Sequence, residues 1–138
     1  MTKIFVLNGV NLGTLGERRP EVYGSLTLDD IYSQLSEEFP DVDFEFRQTD
    51  FEGEMVGFIR NGGASDGIVI NPGAWTHYSY ALHDALESIT VPKVEVHLSN
   101  VHAREEWRRR SVISPSVNAV VAGMGAFGYV VAVRYILQ

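Results

Sequence analysis

The chain has 138 residues, 45% apolar and 21% charged, with a net charge of −7 and no cysteine. That length suits one domain with a single core over residues 1–138, no apolar run approaches the roughly 18 residues of a membrane span, and the acidic balance offers a nucleic acid backbone little to bind. The absence of cysteine excludes disulfides and thiolate metal sites, and the N-terminus lacks a secretory signal pattern, so a cytoplasmic protein is expected.

Residues 4–7 read as a first β-rich run. The connection after it, from Asn8 to Thr27, is much longer than the roughly two to six residues usual between a strand and a helix, and it carries Arg18, Arg19, Pro20 and Tyr23 between Gly16 and Gly24. Thr27-Leu-Asp-Asp30 has the capping-box pattern of a helix start, with Leu28, Ile31, Leu35 and Phe39 on one face, and the helix ends before Pro40. A second strand is expected over 42–46, and a helix over 54–60 that stops at Asn61-Gly62-Gly63. A third strand over 67–70 leads through Asn71-Pro-Gly-Ala-Trp-Thr-His77 into a helix whose buried stripe holds Ala81, Leu82, Ala85, Leu86 and Ile89. Strands over 94–98 and 119–122 and a helix starting near Phe127 complete the chain. Strands alternating with helices predict an α/β fold, a flavodoxin-like three-layer sandwich whose five-stranded parallel sheet has the order 2-1-3-4-5. A closed barrel would need eight such units.

In such a sheet the ligand crevice lies beyond the carboxyl ends of the strands, where the order reverses. Asn8 and Asn11 follow the first strand, Asn71 follows the third, and His97 and Ser99 end the fourth, so three polar clusters converge on one edge. Glu95, His97 and Ser99 alternate with Val94, Val96 and Leu98 and point to one side. Either they form a satisfied hydrogen bond in the core, or Glu95 sets the tautomer and basicity of His97 as a general acid or base, with Ser99 as a ligand donor. Asn71 and His77 are capping groups of the turn or part of an anion site. The run His102-Ala-Arg-Glu-Glu-Trp-Arg-Arg-Arg110 reads as a solvated helix face, or else supplies one arginine to an anionic or hydroxylated substrate. Gly123-Met-Gly125-Ala-Phe-Gly128 has dinucleotide-turn spacing but lacks the downstream acidic residue, and is expected to be a plain turn. His77 and His83 are six apart on an expected helix, which is not a metal-ligand spacing, so neither metal nor cofactor is expected.

Four motifs in order, Leu7-Asn-Gly-Val-Asn-Leu, Arg18-Arg-Pro-Glu-Val-Tyr-Gly-Ser-Leu-Thr, Ile70-Asn-Pro-Gly-Ala-Trp-Thr-His and Glu95-Val-His-Leu-Ser-Asn-Val-His-Ala-Arg-Glu-Glu-Trp-Arg, resemble the type II dehydroquinate dehydratases across nearly the whole chain. The resemblance implies a cofactor-free lyase that converts 3-dehydroquinate to 3-dehydroshikimate and assembles as trimers packed into a dodecamer. It implies that Tyr23 is the base at C2, and that the guanidinium of Arg18 helps to offset the roughly 4 kcal/mol that ionising a tyrosine at neutral pH requires. Asn11 is implied to hold a water at the enolate oxygen, and His97, oriented by Glu95, to protonate the departing C1 hydroxyl. Asn71, Ser99 and the backbone at Leu98 resemble the substrate carboxylate and hydroxyl site, His77 and Arg108 match residues on the ring hydroxyls, and Asp84 matches one that reaches a neighbouring subunit's site. The loop holding Arg18 and Tyr23 then reads as a lid hinged at Gly16 and Gly24. Val10, Arg19, Asp50, Phe51, Trp75, Arg110 and Val112 depart from the common pattern of the family, and Arg19 competes with Arg18 for the tyrosine. A noncatalytic module that binds a small carboxylate is the alternative.

Overall fold

A computed structural model describes residues 1–138. Strands β1 (Thr2–Asn8), β2 (Val42–Gln48), β3 (Gly67–Asn71), β4 (Lys93–His97) and β5 (Ala119–Ala122) form one parallel sheet in the order β2-β1-β3-β4-β5. The sheet thus has the flavodoxin-like 2-1-3-4-5 order that the sequence predicts. The helices are α1 (Pro20–Tyr23), α2 (Leu28–Glu38), α3 (Glu52–Gly62), α4 (Tyr80–Glu87) and α5 (Phe127–Ile136). None is long and apolar enough to cross a membrane.

Successive apolar residues along the strands point to opposite sides of the sheet and build the two faces of the core. Ile4 and Val6 of β1, Val69 of β3 and Val94 and Val96 of β4 pack with Leu28, Ile31 and Leu35 of α2 and Tyr129, Val130 and Val133 of α5. Leu7, Ile68 and Ile70 face the other way, towards Met55 and Ile59 of α3 and Leu82 and Leu86 of α4. Every residue of β3 is buried, as a central parallel strand with both faces covered requires. The start of α2 follows its sequence signal: Asp30 N donates to Thr27 Oγ1 at 3.2 Å, and Thr27 N donates to Asp30 Oδ2 at 2.9 Å.

Four differences from the sequence reading bear on the site. The connection before α2 is folded rather than open: it contains a 3-10 turn at Leu12–Thr14 and the short α1, with Leu12 and Leu15 pinned in the core. The segment after β3 forms a 3-10 turn at Gly73–His77, and α4 starts only at Tyr80, where Ser79 Oγ accepts from Leu82 N at 3.1 Å. His77 therefore does not share a helix with His83. The basic run is not a helix either, but two 3-10 turns, Val101–Ala103 and Glu106–Arg109, separated by an extended Arg104 at φ −117. Finally, β4 ends at His97, one residue early, because Leu98 turns away and its carbonyl accepts from Gly125 N at 3.0 Å.

That last contact shows what the glycine-rich stretch does. Gly123 and Gly125 adopt φ values of 87 and 58, which glycine reaches without steric cost, and Gly123 N donates to His97 O at 3.2 Å. The turn between β5 and α5 thus braces the end of β4.

At the carboxyl end of β1, Gly9 N donates to Asn71 O at 2.8 Å, and a Cβ on Gly9 would lie 2.6 Å from the Pro72 carbonyl oxygen. A backbone atom cannot be displaced as a side-chain tip can. Gly9→Ala is therefore expected to lower unfolding free energy by about 2 kcal/mol, read as a lower denaturant midpoint with an unchanged slope. A variant as stable as the parent would show that the two loops separate freely.

Candidate active site

The carboxyl ends of β1, β3 and β4, with α1 lying over them, enclose a crevice of about 190 Å³. Asn11, Arg18, Tyr23, Asn71, His77, His97, Leu98, Ser99 and Arg108 all line it. Glu95 stands behind His97, completely buried. Asp84 is exposed on α4 and does not line this crevice.

Glu95 and His97 share the same face of β4, as their spacing predicts. The His97 ring Nε2 lies 2.5 Å from Glu95 Oε2. Thr76 Oγ1 donates to that same oxygen at 2.5 Å, and Ser114 Oγ donates to Oε1 at 2.7 Å. Burial alone would raise the Glu95 pKa, but the hydrogen bonds from His97, Thr76 and Ser114 outweigh it and hold the carboxyl below its ordinary value. An ionised carboxylate only accepts, so Nε2 carries a proton, and Nδ1 is the ring atom left to exchange a proton with a ligand.

His77 is held by the other nitrogen. Its Nδ1 donates to the carbonyl of Arg110 at 2.7 Å, and its ring packs edge-on to Trp107 at 5.1 Å. Burial lowers its pKa despite the backbone hydrogen bond, with the positive charge of Arg108 adding to the effect. Neutral His77 thus keeps Nε2 as an acceptor suited to a hydroxyl.

From the side of α1, Arg18 Nη2 donates to the Tyr23 hydroxyl at 3.3 Å, and its guanidinium lies 4.6 Å from the ring centre. The five-residue spacing works because α1 turns the chain back between them. Pro20 occupies the first position of that helix, where its missing N–H goes unneeded. Arg19 points elsewhere: it pairs with Glu21 at 3.2 Å in solvent, with a left-handed φ of 34. The competition between the two arginines falls to Arg18 in this geometry. A second guanidinium, Arg104, lies 5.2 Å from the Tyr23 ring, and its Nη1 donates to Ser99 Oγ at 3.2 Å.

Asn71 is almost wholly buried, and much of its amide is used internally. Oδ1 accepts from Gly73 N at 3.1 Å, and Nδ2 donates to the Tyr129 hydroxyl at 3.1 Å. Tyr129 in turn donates to Asn8 Oδ1 at 2.5 Å, and Asn8 donates to Tyr32. Asn8 is thus a core residue that ties β1 to α5 and α2, outside the crevice its sequence position suggests. Arg108 stacks on Trp107 at 4.0 Å and donates from Nε to Glu105 at 3.2 Å.

Most departures from the family pattern have a local account. Asp50 Oδ1 accepts from the backbone N–H of Asn11 at 2.8 Å, fixing the left-handed Asn11 at the crevice rim. Trp75 is buried against the β1–β3 loops. Arg110 and Val112 serve through their main chains: the Arg110 carbonyl binds His77, the Val112 N–H donates to Thr76 O, and the Val112 carbonyl binds His83. Nothing in the structure explains the exposed Phe51.

Sequence reasoning missed Arg104, Thr76, Ser111 and Ser114. Arg104 was within reach, since it stands five residues after Ser99 in the basic run, whereas the hydroxyl residues carry no spacing signal.

The family model described as Dehydroquinase class II matches residues 2–137. A 3-dehydroquinate dehydratase of Pelodictyon phaeoclathratiforme is 53% identical over 137 residues, covering 97% of this chain and 91% of its own. One from Desulfitobacterium hafniense is 48% identical over 140 residues, covering 100% and 97%. The crystal structure of a type II dehydroquinase from Butyrivibrio crossotus superimposes with a TM-score of 0.96 at 40% identity, covering 99% of this chain and 98% of its own.

A carboxyl whose pKa is depressed by folding contributes stability that is complete above its unfolded value and is lost as pH falls through its folded one. The Glu95→Gln variant is accordingly expected to be about 2 kcal/mol less stable at pH 7, a gap that narrows below the ordinary Glu value of 4.5. Urea unfolding at pH 7 and pH 3 measures it, and an equal gap at both would contradict the hydrogen-bonded carboxylate.

Proposed function

Since the chain belongs to the class II dehydroquinase family, we propose that its crevice dehydrates 3-dehydroquinate to 3-dehydroshikimate with Tyr23 as base and His97 as acid. The observation that carries this reading is the placement of the Tyr23 hydroxyl and the His97 ring on one cavity, each with a charged partner. Arg18 and Arg104 both bring a guanidinium against the phenol ring, at 4.6 and 5.2 Å from its centre.

In the first step the Tyr23 oxygen takes the C2 proton, and the C–H electron pair moves onto the C3 carbonyl oxygen as an enolate. A water held by Asn11 supports that oxygen. In the second, the enolate re-forms the ketone, the C1–C2 double bond appears, and the C1 hydroxyl leaves as water with a proton from His97 Nδ1. Glu95 keeps the other ring nitrogen engaged, so the acid is presented from one atom only. Ser99, the backbone at Leu98 and the free N–H of Asn71 serve the substrate carboxylate and hydroxyls, while neutral His77 and Arg108 serve the ring hydroxyls. No step needs a metal or an organic cofactor.

Residues 1–138 act as one catalytic domain in the cytoplasm, in a shikimate or quinate route. Asp84, exposed on α4, suits the site of a neighbouring subunit in a trimer, with trimers assembled into a dodecamer.

Enone absorbance after adding 3-dehydroquinate tests the reaction, and folded oligomer without turnover would refute it in favour of a carboxylate-binding module. Tyr23→Phe should lower kcat by about a thousandfold or more while leaving the fold intact; a near-normal rate would remove Tyr23 as base. Arg18→Ala should cost more rate than Arg19→Ala, and the reverse order would overturn the pairing seen here.

A further inference from the structure

The hydroxyls behind Glu95 form a chain whose direction is fixed by the backbone. Ser111 Oγ accepts from two main-chain N–H groups, Ile113 at 3.2 Å and Ser114 at 2.9 Å. With its acceptor capacity used, its own proton is directed to Thr76 Oγ1, 2.6 Å away. Thr76 then has its proton for Glu95 Oε2, while Ser114 supplies a second hydroxyl to Oε1. The chain is shielded from water at its centre, for Thr76 and Glu95 are 2% and 0% exposed.

We infer that Thr76, Ser111 and Ser114 are positioning residues that weaken the hold of Glu95 on the His97 proton, and so set the pH at which the acid acts. The physical reason is charge sharing. A bare buried carboxylate would concentrate its charge on the imidazolium and bind the proton too firmly to release it to a leaving hydroxyl. Two donated hydroxyls, one of them polarised by the amides of the turn, spread that charge away from His97. The lowered pKa of Glu95 agrees, since both hydroxyls contribute to it. The same segment also holds His77 through the Arg110 carbonyl, so both histidines are set from residues 110–114.

Other charged groups face the pair and must stay constant in any test. From the Gly73–His77 turn the neighbour is His77, and from the segment after β4 they are His102, Arg104, Arg108 and Arg109. The lid adds Arg18 and Tyr23. The strands flanking Glu95 place Ile70 and Val120 opposite it and bring no charge.

None of those groups changes in Thr76→Val, Ser114→Ala or Ser111→Ala. Losing a donor to the carboxylate raises the affinity of the Glu95–His97 pair for its next proton, so the sign of the shift is upward. The midpoint at which the His97 ring resonances titrate, followed by nitrogen-15 NMR on the resting protein, should rise by about half a pH unit for each lost donor. Ser111→Ala should give a smaller rise in the same direction, and Thr76→Ser should restore the parent midpoint. The limb of the kcat–pH profile that reports the acid should move by the same amount. Amide dispersion identifies folded variants, and because the two serines are only partly buried, they carry the test if Thr76→Val does not fold. An unmoved midpoint in folded Ser114→Ala and Ser111→Ala would overturn the inference. The meaning of the acid rests on the proposed dehydration, but the resonance titration does not, so an inactive protein whose midpoint shifts would refute the reaction and leave the relay standing.

Discussion

A fully buried carboxylate is the most demanding group in this structure. Removing an ion from water costs several kcal/mol after relaxation, and hydrogen bonds must offset that cost. Glu95 finds its donors on three separate stretches of chain: His97 on its own strand, Thr76 in the turn after β3, and Ser114 in the turn before β5. Satisfying one side chain therefore fixes how three loops converge. The backbone bond between Val112 and Thr76 closes the same junction, so the crevice wall is built by the needs of a charge buried behind it.

The opposite wall is set by a neutral network with similar logic. Tyr129, Asn8 and Asn71 join the ends of β1 and β3 to α5, and burial holds the Tyr129 phenol well above its ordinary pKa, so it stays a donor. With Asn71 Oδ1 engaged by Gly73, the turn that carries Thr76 and His77 leaves β3 in a fixed direction. The two networks meet in that turn. Its residues are held from the sheet on one side and from residues 110–114 on the other.

Much of the fold was legible because its signals are local. The capping box at Thr27 and the short apolar runs of β1 and β3 each follow from spacing within a few residues. Glu95 and His97 were legible for the same reason, since two positions along a strand share a face. Tyr23 and Arg18 stood out as polar residues in a connection too long to be a linker, but the family motif supplied their pairing. The hydroxyl chain was not legible, because Thr76 and Ser114 each lie 19 positions from Glu95 and serine and threonine are common in any turn. The short 3-10 turns were also hidden. Charged residues at near-helical spacing in 102–110 imitate a helix face, and the non-helical backbone at Arg104 and Glu105 separates the two turns.

Leu12 and Leu15 anchor one end of the crevice cover and Leu28 the other, leaving α1 between them with no buried residue of its own. Arg18 and Tyr23 both ride on that stretch, where Tyr23 packs against the core only in part, whereas Glu95 and His97 belong to the sheet. Any outward swing of the cover would carry the phenol and its guanidinium away together and leave the imidazole behind. Opening the crevice and parting the two groups would then be a single event, so a crevice that has opened would hold the imidazole without the phenol.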